Sequence, residues 1–174
     1  PNGAMAVGWA QAEDGWYFAS QSGALISGWY KEGTSWDYLD PAADGKMLLG
    51  HFSVNGKSYF AKASGAVACH EWVDAQGSFA EEPFKAFAGS DCSLCGSLRS
   101  GKLFTTNGDG ELAEAHGFVT LGGCKFYADP TDGSLCVGWK NVNGKWYFFD
   151  EAAGYAKSGW LYKDGSWFYL DPST

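Results

Sequence analysis

Seven aromatic residues punctuate this chain at near-regular intervals: Trp9, Trp29, Phe52, Trp72, Phe118, Trp139 and Trp160. Each stands seven or eight positions before a second aromatic in a short strand-like run, as in Trp16-Tyr17-Phe18 or Trp146-Tyr147-Phe148-Phe149. The leading aromatics are separated by 20, 23, 20, 46, 21 and 21 residues. A fixed period of this size marks an array of small units that cannot bury their apolar faces alone and must stack on one another. The interval of 46 equals two periods of 23, which predicts one further, degenerate copy near Cys95 to Phe104.

The segment from Gly23 to Asp40 shows what one unit contains. Gly23 suits a turn at positive φ, and Gly28-Trp29 opens a strand. Lys31-Glu32-Gly33-Thr34 reads as a hairpin turn, and Ser35 to Leu39 as the returning strand, with Trp36 and Tyr38 on one face and Asp37 on the other. Asn55-Gly56, Asn143-Gly144 and Asp164-Gly165 are strong hairpin turns of the same kind. Gly3, Gly45, Gly65, Gly110, Gly133 and Gly154 precede their leading aromatics by six to eight residues, as Gly23 does. A lone two-stranded hairpin is marginal in water, so the expected fold is all-β: a solenoid of stacked β-hairpin repeats of about 20 residues, with essentially no helix. Residues 1–80 and 115–174 read as two sets of repeats. Residues 81–114, where Pro83, Phe84 and Phe87 fall out of register, read as a degenerate repeat or an insertion.

Bulk properties narrow the function. Aromatics make up 17% of the chain and charged residues 18%, so stacked rings must supply much of the burial. The net charge is −8 and no Lys/Arg cluster is present, which argues against nucleic acid and favours a cationic or neutral ligand. No run approaches the apolar length of a membrane span. Pro1 to Met5 read as the tail of an earlier repeat, so the chain is expected to start inside a longer protein.

The spacing Gly-Trp-x6-Trp-x-(Tyr or Phe), followed by a Gly-x-apolar turn, resembles the choline-binding or cell-wall-binding repeat of Gram-positive surface proteins. Related repeats occur in glucan-binding regions of glucosyltransferases and in clostridial toxin tails. The resemblance is close at Gly8-Trp9 to Phe18, Gly28-Trp29 to Leu39, Gly138-Trp139 to Phe149 and Gly159-Trp160 to Leu170, partial at Phe52 and Phe118, and poor at Trp72. It implies ligand sites between consecutive hairpins, two aromatics coming from one and a third from the next. One such site would combine Trp9 and Trp16 with Trp29 or Tyr38. Another would combine Trp29 and Trp36 with Phe52, Tyr59 and Phe60 beyond. A third would combine Trp139 and Trp146 with Trp160 or Tyr169, leaving Trp160 and Trp167 half-formed.

The resemblance implies a non-catalytic module of an extracellular protein on a Gram-positive cell surface, holding choline or another teichoic-acid substituent. The ring chemistry agrees, because a quaternary ammonium donates no hydrogen bond and is held by electron-rich ring faces. The same rings stack on sugars, so glucan or host glycan remains an alternative ligand, and a purely structural stalk a third reading. An open last hairpin would also let two copies pair into a homodimer.

Other constellations lead nowhere catalytic. Gly50 to Ser58 superficially looks like a phosphate-binding loop but is one residue too long and falls on a hairpin turn. His51, His70 and His116 each stand just before a leading aromatic, which suits a role at strand starts. Cys92-Ser93-Leu94-Cys95 has no second ligand pair at zinc spacing, so neither metal nor cofactor is expected. Cys69 and Cys136, each three residues before a Trp, read as small buried residues of the repeat. In an exported chain a disulfide near the degenerate copy would be favourable, and its pairing stays open.

Overall fold

The computed structural model describes residues 5–75, 84–106 and 111–173. The turn glycines Gly3 and Gly110, together with Phe79, Pro83 and the first four residues, lie outside them. The chain forms two compact units, Pro1–Ala68 and Cys69–Thr174.

The first unit is a stack of antiparallel hairpins. Strands β1 (Gly8–Ala12) and β2 (Gly15–Ala19) form the first, and β3 (Gly28–Glu32) and β4 (Ser35–Asp40) the second. A 3-10 turn, Pro41–Ala43, is capped by Asp40, whose carboxylate accepts from the Ala42 amide at 2.9 Å. It leads into the short β5 (Lys46–Met47), which pairs with β4. Strands β6 (Gly50–Val54) and β7 (Lys57–Ala61) complete the unit. The second unit begins with β8 (Glu71–Ala75), β9 (Phe84–Ala88), β10 (Leu94–Arg99), β11 (Lys102–Thr106) and β12 (Leu112–Glu114), one five-stranded antiparallel meander. Three hairpins follow: β13 (Gly117–Leu121) with β14 (Cys124–Ala128), β15 (Gly138–Val142) with β16 (Lys145–Phe149), and β17 (Gly159–Lys163) with β18 (Ser166–Leu170).

The fold is thus all-β, a solenoid built from stacked hairpins of about 20 residues, as the periodicity requires. Asn55-Gly56, Asn143-Gly144 and Asp164-Gly165 all turn with both residues at positive φ, the two-residue geometry that matches the twist of the flanking strands. The degenerate copy near Cys95 is a hairpin too, β10–β11, turning at Ser100-Gly101.

Strand alternation gives every regular hairpin two faces. The inner face carries the residue paired with the opening glycine, and Leu39, Ala61, Ala128, Phe149 and Leu170 are all buried there. The outer face carries the residue after the opening glycine and the second residue of the returning strand: Trp9 and Trp16, Trp29 and Trp36, Trp139 and Trp146, Trp160 and Trp167. The opening glycines Gly8, Gly28, Gly138 and Gly159 sit at φ between 70° and 88°, backbone that few other residues adopt.

That backbone mark corrects the sequence reading of two copies. In the third hairpin the opening glycine is Gly50, at φ 76°, so His51, not Phe52, holds the leading position. Phe52 pairs with Tyr59 on the other face. At Trp72 the positive φ falls on His70, two residues earlier, and Trp72 likewise turns inward. Its ring packs against Phe87 and Phe126, and its indole N–H donates to the Ala153 carbonyl at 2.8 Å. This cluster, with Leu103, Ala115, Leu121, Cys124 and Ala128, forms the core of the second unit. Gly89 and Gly122 approach so closely there that a Cβ on Gly89 would stand 2.6 Å from the Gly122 Cα.

Cys69 is not a buried repeat residue but forms a disulfide with Cys92, tying the entry of β8 to the turn after β9. Cys95, Cys124 and Cys136 are free thiols. Burial, with Asp91 and Cys124 adding smaller effects, pushes the Cys95 thiol up to about 11. It is therefore a poor nucleophile at neutral pH, and the C-x2-C pair divides between a disulfide and a protonated thiol.

Candidate functional site

Because the two outer-face rings of a hairpin are not directly paired across the strands, they meet obliquely, edge to face. Trp29 and Trp36 lie 6.2 Å apart at 88°, Trp139 and Trp146 6.5 Å at 82°, and Trp160 and Trp167 6.3 Å at 85°. Two walls at right angles make a corner. A third wall comes from the following hairpin.

That third wall differs from the expected one. Trp139 packs against Phe168 at 4.9 Å, and Trp139, Trp146 and Phe168 alone line a notch of about 460 Å³. Trp160 and Tyr169, expected there from the sequence, pair with each other on the outer face of their own hairpin. Trp29 likewise meets Tyr59 at 4.9 Å and Phe52 at 6.1 Å, while Phe60 points away beside His51. Trp9 meets Tyr30 at 5.8 Å, not Trp29 or Tyr38. The rule is physical: a hairpin covers its predecessor with its inner face, so only residues at the middle of its strands can close the notch. Trp29, Tyr38, Trp160 and Tyr169 are one residue out of phase for that role. Sequence spacing locates the ring pairs, whereas the closing ring depends on which face meets which neighbour.

The notches are not equivalent. In the second, Lys31 lies across the strands from Trp36 and places its ammonium 5.3 Å from that ring. Between β13–β14 and β15–β16 the position of the second Trp is taken by Lys125. Its ammonium lies 4.5 Å from the Phe118 ring and 5.7 Å from that of Tyr147, which stand 5.0 Å apart. A cation of the chain itself therefore lies against the rings of this notch. In the last hairpin Trp160 is 71% exposed and Trp167 64%, and Tyr162 adds a tilted ring 5.1 Å from Trp167.

The first notch is polar on one side. It is about 430 Å³ in volume and is lined by Trp9 and Trp16 with Glu32, Asp37 and Met47. The Trp9 indole N–H donates to Glu32 Oε2 at 3.1 Å, and the Trp9 ring also meets Phe18 at 5.2 Å. Burial, then the Glu32 charge, raises the Asp37 carboxyl above the ordinary aspartate value. Among the described residues no three His, Cys, Asp or Glu side chains converge as metal ligands, and no helix is long and apolar enough to cross a membrane.

Residues 136–174 match the model of the choline-binding repeat. No curated protein matches the chain in sequence. Among solved structures the chain is similar to CbpJ from Streptococcus pneumoniae TIGR4, at 22% identity over 97% of this chain and 51% of that one, with a TM-score of 0.40. It is also similar to choline binding protein F from Streptococcus pneumoniae, solved in the presence of a peptidoglycan analogue: 24% identity, 97% and 51% coverage, TM-score 0.39. The choline binding domain of Spr1274 in Streptococcus pneumoniae is 34% identical over 40% of this chain and 83% of that one, TM-score 0.37. The chain spans about half the length of the first two. Within the matched segment the plan is Gly138-Trp139 with Trp146, then Gly159-Trp160 with Trp167. The same plan recurs at Gly8-Trp9 with Trp16 and at Gly28-Trp29 with Trp36, so residues 136–174 carry the choline-binding repeat and the first two hairpins share its plan.

Proposed function

We propose that this chain is a non-catalytic binding module that holds its parent protein on a bacterial cell wall by closing aromatic notches on the choline groups of teichoic acid. The observation that carries this reading is the notch of Trp139, Trp146 and Phe168, three ring faces with no other lining. A trimethylammonium group has no hydrogen bond to offer or lose, and each ring it touches contributes about 0.5–2 kcal/mol. The neighbouring notch supports the same use, since Lys125 already lays an ammonium against Phe118 and Tyr147. Individually weak sites gain through avidity on a polymer that repeats its choline groups. The Cys69–Cys92 disulfide suits an oxidising, extracellular setting on a Gram-positive surface. On this reading the hairpins of 1–80 and 115–174 carry the ligand sites, and 81–114 serves the fold.

Titration with choline while following tryptophan fluorescence tests the proposal. A saturable change is expected, with its strongest component lost in the double variant Trp139→Ala/Trp146→Ala. A flat titration overturns it.

The last hairpin favours a second reading. Trp160 and Trp167 are broad, exposed rings of the kind that stack on sugar faces, which suits a glucan or host glycan. Retention on a glucan matrix without any response to choline would transfer the function to carbohydrate recognition, and no response to either would leave a stalk. The same exposed face is where two copies would pair. A strictly monomeric mass by light scattering, with and without choline, removes the homodimer.

A further inference from the structure

The first notch has the wrong chemistry for choline alone. Tyr59, Tyr147 and Phe168 each supply a ring from the middle of the returning strand. The residue at that position in β4 is Asp37, paired with Tyr30 across the hairpin. Asp37 is only 6% exposed and is held through its backbone in the β3–β4 ladder, while among the described residues its carboxylate has no hydrogen bond or ion pair and meets solvent only through the cavity. Its carboxylate faces the cavity that Trp9, Trp16 and Glu32 also line. Gly65 leaves it room, since a Cβ there would stand 2.9 Å from Asp37 Oδ1. The two indoles, unlike the other outer pairs, are not in ring contact with each other among the described residues.

A buried carboxylate without a partner is costly unless something with donors arrives. A quaternary ammonium brings charge but no N–H, so it would displace water from Asp37 and leave its lone pairs unmatched. A primary ammonium brings three donors. One can make a charge-assisted hydrogen bond to Asp37 and another can reach Glu32, whose Oε2 already accepts from Trp9 and so stands at the cavity edge. The indoles of Trp9 and Trp16 then cover the attached carbons.

We propose that the notch of Trp9, Trp16, Glu32 and Asp37 binds a protonated primary amine, R–NH3+, with Asp37 as the principal acceptor. The inference extends the reading of these notches as cation sites to a second head group, and it is read out at different indoles. The head group occurs on an amino alcohol and on a lysine side chain, so the probes are ethanolammonium and Nα-acetyl-lysine amide, with choline as the contrast.

The experiment follows the indole N–H resonances of the whole chain by 15N-edited NMR during these titrations. Trp9 and Trp16 should shift saturably with at least one primary amine, and the better probe identifies the source. Choline should bind there at least about tenfold more weakly, while Trp139 and Trp146 show the opposite preference. Asp37→Asn keeps the shape and should weaken amine binding at Trp9 and Trp16 about tenfold or more. Unchanged amide dispersion in β3 and β4, and unchanged choline shifts at Trp139, would show that the variant is folded. Amine binding that ignores Asp37→Asn, choline binding there as tightly as the amines, or no shift with any probe would each overturn the inference. Silence at Trp139 and Trp146 toward choline would instead count against the choline reading and leave Trp9 to be judged by its own shifts.

Discussion

Trp72 and Trp139 begin as members of one sequence pattern and end in opposite roles. Trp139 follows a glycine at φ 70° by one residue and stands on the outer face, a wall of an open notch. Trp72 follows a positive-φ residue, His70, by two and is turned inward against Phe87 and Phe126, with its N–H satisfied by the Ala153 carbonyl. A shift of one residue along a strand exchanges its faces. Within this repeat, that shift decides whether a ring works for the ligand or for the core. The meander of β8–β12 and the hairpin β15–β16 are thus one building plan used in two phases.

The sharpest way to break this comparison is to remove both rings and measure stability. Trp72→Ala should lower the unfolding free energy by about 3 kcal/mol or somewhat more, from lost burial and the cavity it leaves. The orphaned Ala153 carbonyl adds to that. Trp139→Ala should cost less, because its ring walls an open notch instead of packing against the core cluster. Choline affinity should respond in the reverse order, collapsing at the Trp139 notch and unchanged there for Trp72→Ala whenever the variant is folded. Equal losses of stability in urea titrations would contradict the phase argument.

Much of this is legible in the sequence. Gly-Trp spacing and Asn-Gly or Asp-Gly turns identify the regular hairpins, and the doubled interval points correctly to a hairpin at β10–β11. The alternation within Ser35 to Leu39 even separates Trp36 and Tyr38 from Asp37. Two things were hidden for physical reasons. The first is phase in the divergent copies: Phe52 is a better aromatic landmark than His51, yet only the positive φ at Gly50 reveals which one leads. A reading anchored on the glycine would have found it, since Gly50 stands directly before His51 as Gly28 does before Trp29. The second is the identity of the closing ring, because Phe168 and Tyr59 reach the preceding hairpin through inter-hairpin packing that no local spacing encodes. The Cys69–Cys92 pairing belongs to the same class, depending on how the meander brings two turns together.

A smaller effect sharpens the contrast between a notch that waits for its cation and one that carries it. Lys125 stands where Trp146 stands one hairpin later, and its ammonium rests on Phe118 and Tyr147. Lys125→Trp should replace the built-in cation by a third ring and add one choline site to the stoichiometry measured by calorimetry. Lys125→Gln should lose about 0.5–2 kcal/mol of cation–π stabilisation without reaching the affinity of the tryptophan variant. An unchanged stoichiometry in Lys125→Trp would mean that rings alone, without the Trp139 geometry, do not make a site.

The smallest expected effect concerns the first notch and its carboxylate. Burial, then the Glu32 charge, raises the folded-state value of Asp37 above its ordinary 3.8, and Tyr30 is the other titrating group facing both. The folded chain therefore holds a proton on Asp37 at pH values where the unfolded chain has released it. By linkage, stability falls as pH rises through the window between the unfolded and folded values, and ionised Asp37 is a standing cost above it. Asp37→Asn removes that cost, so at neutral pH the variant should be modestly more stable than the parent. The difference should shrink on acidification through the window and vanish below about pH 3.8. A bound ammonium acts in the opposite sense, favouring the ionised carboxylate. Amine affinity at Trp9 and Trp16 should thus rise with pH across the same window and level off above it. A stability gain in Asp37→Asn that persists unchanged in acid would show that shape, not charge, separates this notch from the Trp139 notch.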